Sequence, residues 1–84
     1  MRREKEFRGI SQRLAAQYLR NLGGEGDSDE YVEGDGWSAT LAAETVNVAG
    51  SMELTEVTVV FEGDEATLEP LIEDFSRKAM RAGG

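Results

Sequence analysis

The sequence predicts an α+β domain, a curved antiparallel sheet with two helices on one face, in the order β-α-β-β-β-α. Three observations predict it. Two segments, one after Ser11 and one after Thr67, repeat apolar side chains at helical spacing. Residues 37–62 alternate with a period of two about a single turn. Glycine-containing turns at 23–24, 34–36 and 63–64 separate these pieces.

Residues 4–10 read as an edge strand with Phe7 pointing inward. Ser11 is an N-cap, because its hydroxyl can accept a bond from a free amide of the first turn. Leu14, Ala15, Tyr18, Leu19 and Leu22 then form one apolar stripe, and Gly23-Gly24 ends the helix. Residues 25–30 are a polar loop, and Tyr31-Val32 opens a short strand closed by the turn Gly34-Asp35-Gly36. In the long hairpin the turn is Ala49-Gly50-Ser51. Centring it on Gly50 sets Ala43 against Val57, Leu41 against Val59 and Ala39 against Phe61, all on one face.

Nearer the tip the pattern changes phase. Val46 meets Leu54 and Val48 meets Met52, and these four have the opposite parity. The preferred reading places a bulge in each strand, near Glu44/Thr45 and Thr55/Glu56, which returns the tip to the core. The alternative is a regular hairpin that shows the four side chains on its outer face as an interface, most simply with a second copy. The second helix is expected to start late, with Thr67 as its cap, because Pro70 is tolerated in a first turn. Leu68, Leu71, Ile72, Phe75 and Ala79 form its stripe, and it is expected to end near Met80.

The 84 residues are expected to form one domain, 1–84. There is no cysteine and no histidine, which excludes a thiol nucleophile, a disulfide framework and a Cys/His metal site. No catalytic residue, cofactor or metal is expected. No apolar run reaches the ~18 residues of a spanning helix, and the first residues lack the apolar core of a signal peptide. The expectation is a cytoplasmic protein that is not an enzyme. Seventeen acids face nine bases, and only two of the bases are lysine, for a net charge of −8. An acidic, lysine-poor surface of this kind fits a halophilic protein, because high salt screens its self-repulsion.

Residues 1–22 carry six bases and two acids, whereas residues 23–64 carry eleven acids and no base. Nucleic acid is therefore disfavoured as a partner. Arg13 and Arg20 on the first helix and Arg77 and Arg81 on the second form a candidate basic ridge, which would suit an acidic partner or ligand. Their other use is pairing with Glu73, Asp74 and the acidic loop. Trp37 is read as core, with ligand stacking as its second use. Glu44 and Glu56 face each other in the hairpin register and are read as solvated. The loop 24–30 has the composition of a calcium site but lacks its spacing. Gly83-Gly84 is a candidate carrier terminus, since a carboxylate that must enter a narrow activating site is least obstructed on glycine. A helix terminus is the other reading.

A resemblance covers nearly the whole chain. It runs through Phe7-Arg8-Gly9-Ile10-Ser11, Leu22-Gly23-Gly24-Glu25 and Glu33-Gly34-Asp35-Gly36-Trp37. It continues through Leu54-Thr55-Glu56-Val57-Thr58-Val59 and Lys78-Ala79-Met80-Arg81-Ala82-Gly83-Gly84. These segments resemble small haloarchaeal proteins related to the C-terminal domain of MoaD-related proteins of molybdopterin cofactor biosynthesis. The resemblance implies a TBP-like α+β fold and an association with sulfur carriers. The resemblance implies longer relatives in which a ubiquitin-like domain precedes this module, and no such domain is expected here. The function expected is a non-enzymatic accessory or interaction module with a protein partner or as a homodimer. The alternatives are a diglycine carrier activated at Gly84 and a small ligand-binding regulatory domain.

Overall fold

The structure is a computed structural model that describes residues 1–83. Its elements follow the predicted order: β1 (Arg2–Arg8), α1 (Gln12–Asn21), β2 (Tyr31–Gly34), β3 (Trp37–Ala49), β4 (Met52–Gly63) and α2 (Glu65–Gly83). The strands form one antiparallel sheet in the order β1-β4-β3-β2. The first strand in the chain thus lies beside the last, and α1 carries the chain across the sheet to the far edge.

Register assigns every side chain to a face. Phe7 pairs with Val57, Leu41 with Val59 and Ala39 with both Phe61 and Val32, so these residues share the inner face. Phe61, Val57, Val59 and Val32 there are fully buried, together with Leu19 of α1 and Leu68 and Phe75 of α2. Burying each such side chain stabilises the fold by about 1.5–3 kcal/mol. Phe75 sits at the centre, edge-on to Phe7, Tyr18 and Phe61 with ring centroids 5.0, 6.4 and 5.7 Å away.

Ser11 caps α1 as expected, accepting a hydrogen bond from the Leu14 amide at 3.0 Å. The buried stripe of α1 is wider than its spacing predicted, because Ala16 is fully buried as well as Ala15 and Leu19. This helix contacts α2, β2 and β3, so it is covered on more than one side. The 25–30 segment is also more ordered than a polar loop. Glu25 exchanges backbone hydrogen bonds with Glu33, and Arg20 donates to the Gly26 and Ser28 carbonyls.

Three expectations are corrected. The hairpin register is regular from Trp37/Gly63 through Glu44/Glu56 to Asn47/Glu53. The only shift lies between Asn47 and Ala49, which leaves Val48 unpaired and sets Ala49, not Val48, against Met52. No pair of bulges turns the tip inward; the change of phase in the sequence is a change in what the outer face displays. Secondly, α2 begins at Glu65, since the Asp64 carbonyl accepts from the Thr67 and Leu68 amides. Thr67 is therefore not the cap, and Pro70 sits inside the helix. Pro70 and Ala66 are both exposed, so the Ala66 carbonyl that loses its donor can turn to water. Thirdly, α2 runs to Gly83 rather than ending near Met80.

Candidate functional site

The part of the hairpin beyond Glu44/Glu56 is a two-stranded arm. β1 pairs with β4 only as far as Arg8/Glu56, and β2 meets β3 only from Tyr31/Thr40 to Gly34/Trp37. Neither edge of the arm has a further strand, and the long hairpin gives the molecule an extent of 42 Å against 24 and 21 Å across. The arm carries the predicted patch. Val48 is 46 % exposed, Met52 61 % and Leu54 39 %, with Val46 half-buried between them. Its turn is braced by Asn47, whose side-chain amide donates to the Gly50 carbonyl at 2.9 Å. Large apolar side chains on a narrow arm bury little against their own chain, so their favourable burial awaits a partner.

Where the arm joins the sheet, the outer face holds a charged centre that the hairpin register alone did not reveal. Glu56 is only 7 % exposed although it faces away from the helices. Arg8, opposite it on β1, donates from Nε to Glu56 Oε2 at 2.9 Å. That bond holds the Glu56 carboxyl below the usual carboxylate range. For Glu6, next along the same face of β1, a proton shared with Glu56 is favourable, and this together with the Glu56 charge pushes its carboxyl above that range. Glu44 completes the row opposite Glu56 across β3–β4. Among the described residues no group of three or more potential ligands is placed to hold a metal ion.

The basic ridge is divided by its hydrogen bonds. Arg20 is turned to the loop, bonding Gly26 and Ser28 carbonyls and pairing with Asp29 at 3.4 Å. Arg77 pairs along its own helix with Glu73 at 2.7 Å and Asp74 at 3.4 Å. Arg13 and Arg81 are exposed. Trp37 is 9 % exposed and packs against Gly24 and Gly34, where an added methyl would collide with its ring. It belongs to the core and offers no open face for stacking. Gly83 is the last residue of α2, and the Gly84 part of the carrier proposal lies outside the described residues.

A cleft that sequence reasoning did not single out lies between β1 and α2. Arg3 and Lys5 of β1 line it together with Glu69, Ile72, Glu73, Ser76, Arg77 and Met80 of α2. The signal was present: Arg3 and Lys5 share the parity of the inward Phe7. No helix of the described residues is long and apolar enough to cross a membrane.

A family model described as archaeal MoaD-like protein matches residues 3–84. No curated protein matches the chain.

Proposed function

The chain belongs to the archaeal MoaD-like protein family, and from that premise we propose a non-enzymatic interaction module linked to molybdopterin or sulfur-carrier metabolism. It works by protein–protein contact through the β3–β4 arm, with a second copy of the chain as the simplest partner. The observation that carries this reading is the exposure of Val48, Met52 and Leu54 on an arm whose edges meet no other strand. A contact between two identical arms is isologous, so each apolar residue added to one side is added to both. Glu44, two residues from Val46 on the same outer face, repels its counterpart in a second copy in dilute buffer and less so in molar salt. The lack of cysteine and histidine leaves no ordinary nucleophile–base pair to support catalysis instead.

Sedimentation velocity in molar KCl tests the self-association. The wild type is expected to sediment as a dimer. A Val48→Lys/Met52→Lys variant is expected to sediment as a folded monomer whose melting temperature no longer depends on protein concentration. A wild-type monomer at high concentration removes the homodimer. Capture of native-salt partners that the double variant leaves unchanged removes the arm as the contact surface.

A second reading is favoured by the family together with Gly83-Gly84: a carrier activated at the Gly84 carboxylate. Intact mass of protein purified from its native host tests it. The mass gain of an oxygen-to-sulfur exchange, or larger isopeptide conjugates, supports the carrier. Neither species, with no phenotype on deleting Gly83 and Gly84, rejects it.

A further inference from the structure

We propose that the cleft between β1 and α2 binds a small organic oxyanion, a carboxylate or phosphate ester on an apolar body. Its cations are Arg3 and Lys5. They pair with Phe61 and Val59 and so lie on the inner face of the sheet, the face α2 covers. Two residues apart on a strand, they stand roughly 7 Å from each other, a spacing that lets one multi-oxygen anion meet both. On α2, Glu69, Ile72, Glu73, Ser76 and Met80 recur at helical spacing and form the opposite wall.

Four features of this cleft point to a ligand. Neither Arg3 nor Lys5 has a carboxylate within ion-pair distance among the described residues, in a chain where acids outnumber bases. Glu73 is already held by Arg77, so Glu69 alone opposes the two free cations. Ser76 Oγ is shielded from solvent and has no hydrogen-bond partner, an arrangement that native structures rarely leave standing. The cleft is open to solvent and offers about 440 Å³, within the usual size of small-molecule sites. Ile72 and the 76 % exposed Met80 supply apolar contact beside the charges.

The occupant is a small molecule rather than an added peptide strand. β1 is a sheet edge, and inward-pointing charges such as Arg3 and Lys5 are a common defence against strand addition. The same charges leave the concavity beside α2 open. This site is separate from the arm, so the two readings stand or fall independently.

An NMR titration of the 15N-labelled protein with phenyl phosphate tests the proposal, with benzyl alcohol and inorganic phosphate in parallel. Phenyl phosphate is expected to shift the amides of Lys5, Ser76 and Met80. It should bind about tenfold or more tightly than to Arg3→Gln or Lys5→Gln, each of which removes one charge-assisted contact. Both substitutions fall on exposed positions, and the same spectra report whether the fold is kept. Ser76→Ala should weaken binding without moving Met52 signals. Equal shifts from benzyl alcohol, or shifts that survive both substitutions, overturn the proposal. So does inorganic phosphate binding as well as phenyl phosphate, which would leave the apolar wall without a part. An acidic peptide that displaces phenyl phosphate and shifts the whole row of β1 amides places a strand there instead, and also overturns it.

Discussion

Arg8 Nε and Glu56 Oε2 meet at 2.9 Å across β1 and β4, 48 residues apart in sequence, on the face of the sheet that has no helix. The pair ties an edge strand to the base of the arm. Glu6 shares Glu56, so the two carboxyls titrate together.

The pH dependence follows from the two directions. Glu56 has a depressed pKa in the folded state, so its contribution is present above the unfolded carboxylate value and is lost as pH falls through the lower folded value. Glu6 has a raised pKa, so the folded state takes up its proton first, and its penalty is relieved as pH falls through that raised value. Together they give a shallow stability maximum between the two midpoints. Carboxyl NMR should place Glu6 above and Glu56 below the usual glutamate range. Glu6→Gln should raise the melting temperature at neutral pH, with the gain vanishing in acid. Arg8→Met should move the Glu56 midpoint upward. A Glu6 midpoint in the ordinary range would refute the coupling.

Stability should divide sharply between centre and arm. Phe75→Ala empties the space among Phe7, Tyr18 and Phe61 and is expected to cost about 3–5 kcal/mol. A domain of this kind has only about 5–15 kcal/mol in all, so a large loss of denaturation midpoint should follow. Met52→Lys, on the exposed arm, should change stability by no more than about 0.5 kcal/mol. Chemical denaturation of both variants, at protein concentrations low enough to keep the chain monomeric, checks this; a heavy cost at Met52 there would mean that the arm packs against its own chain.

Much of this architecture was legible because period and parity are local. The pairs Ala39/Phe61 and Leu41/Val59 follow from one turn and strict alternation. The arm departs from the expected bulges for a physical reason: a change of apolar parity reads the same whether the backbone shifts or the side chains stay outside for a partner. The backbone keeps its register to Asn47/Glu53, and the side chains stay outside. The start of α2 was misplaced because Pro70 outweighed Asp64, although an exposed helix face can lose one hydrogen bond to water. The Arg8–Glu56–Glu6 centre could not be read, since it depends on β1 lying beside β4. The inward parity of Arg3 and Lys5 could have been read from Phe7.

Pro70 gives a direct test of the corrected helix start. With α2 beginning at Glu65, residue 70 is beyond the first turn, where proline removes a hydrogen bond and crowds the preceding turn. Pro70→Ala should restore an amide donor for the Ala66 carbonyl and raise the melting temperature. Were the helix to begin after Thr67, proline would be well placed and the substitution neutral or harmful.

The charge balance predicts a response to salt. A net charge of −8 on 84 residues opposes compaction, and the stretch 23–64 contains no base to offset its eleven acids. At 1 M salt the screening length falls to about 3 Å, so repulsion beyond nearest neighbours disappears. The melting temperature should climb steadily from low to molar KCl. A flat response would contradict the halophilic expectation.

Trp37 reports on the packing that joins β2 and β3 to the loop after α1. Gly34 lies so close to its indole that a Cβ there would overlap the ring atoms Cε2 and Nε1, and a Cβ on Gly24 would come within 2.7 Å of its far edge. Gly34 pairs with Trp37 itself, so the methyl cannot move away without opening the pairing of β2 with β3. Overpacking of this kind commonly costs about 1–3 kcal/mol. Gly34→Ala should therefore lower the denaturation midpoint and shift the tryptophan emission to the red as the ring is pushed toward solvent. Asp35→Ala, in the same turn but exposed, is the control and should leave the emission unchanged. If Gly34→Ala kept both the emission and the midpoint, Trp37 would have room beside it, and a ligand-stacking role for the indole would have to be reconsidered.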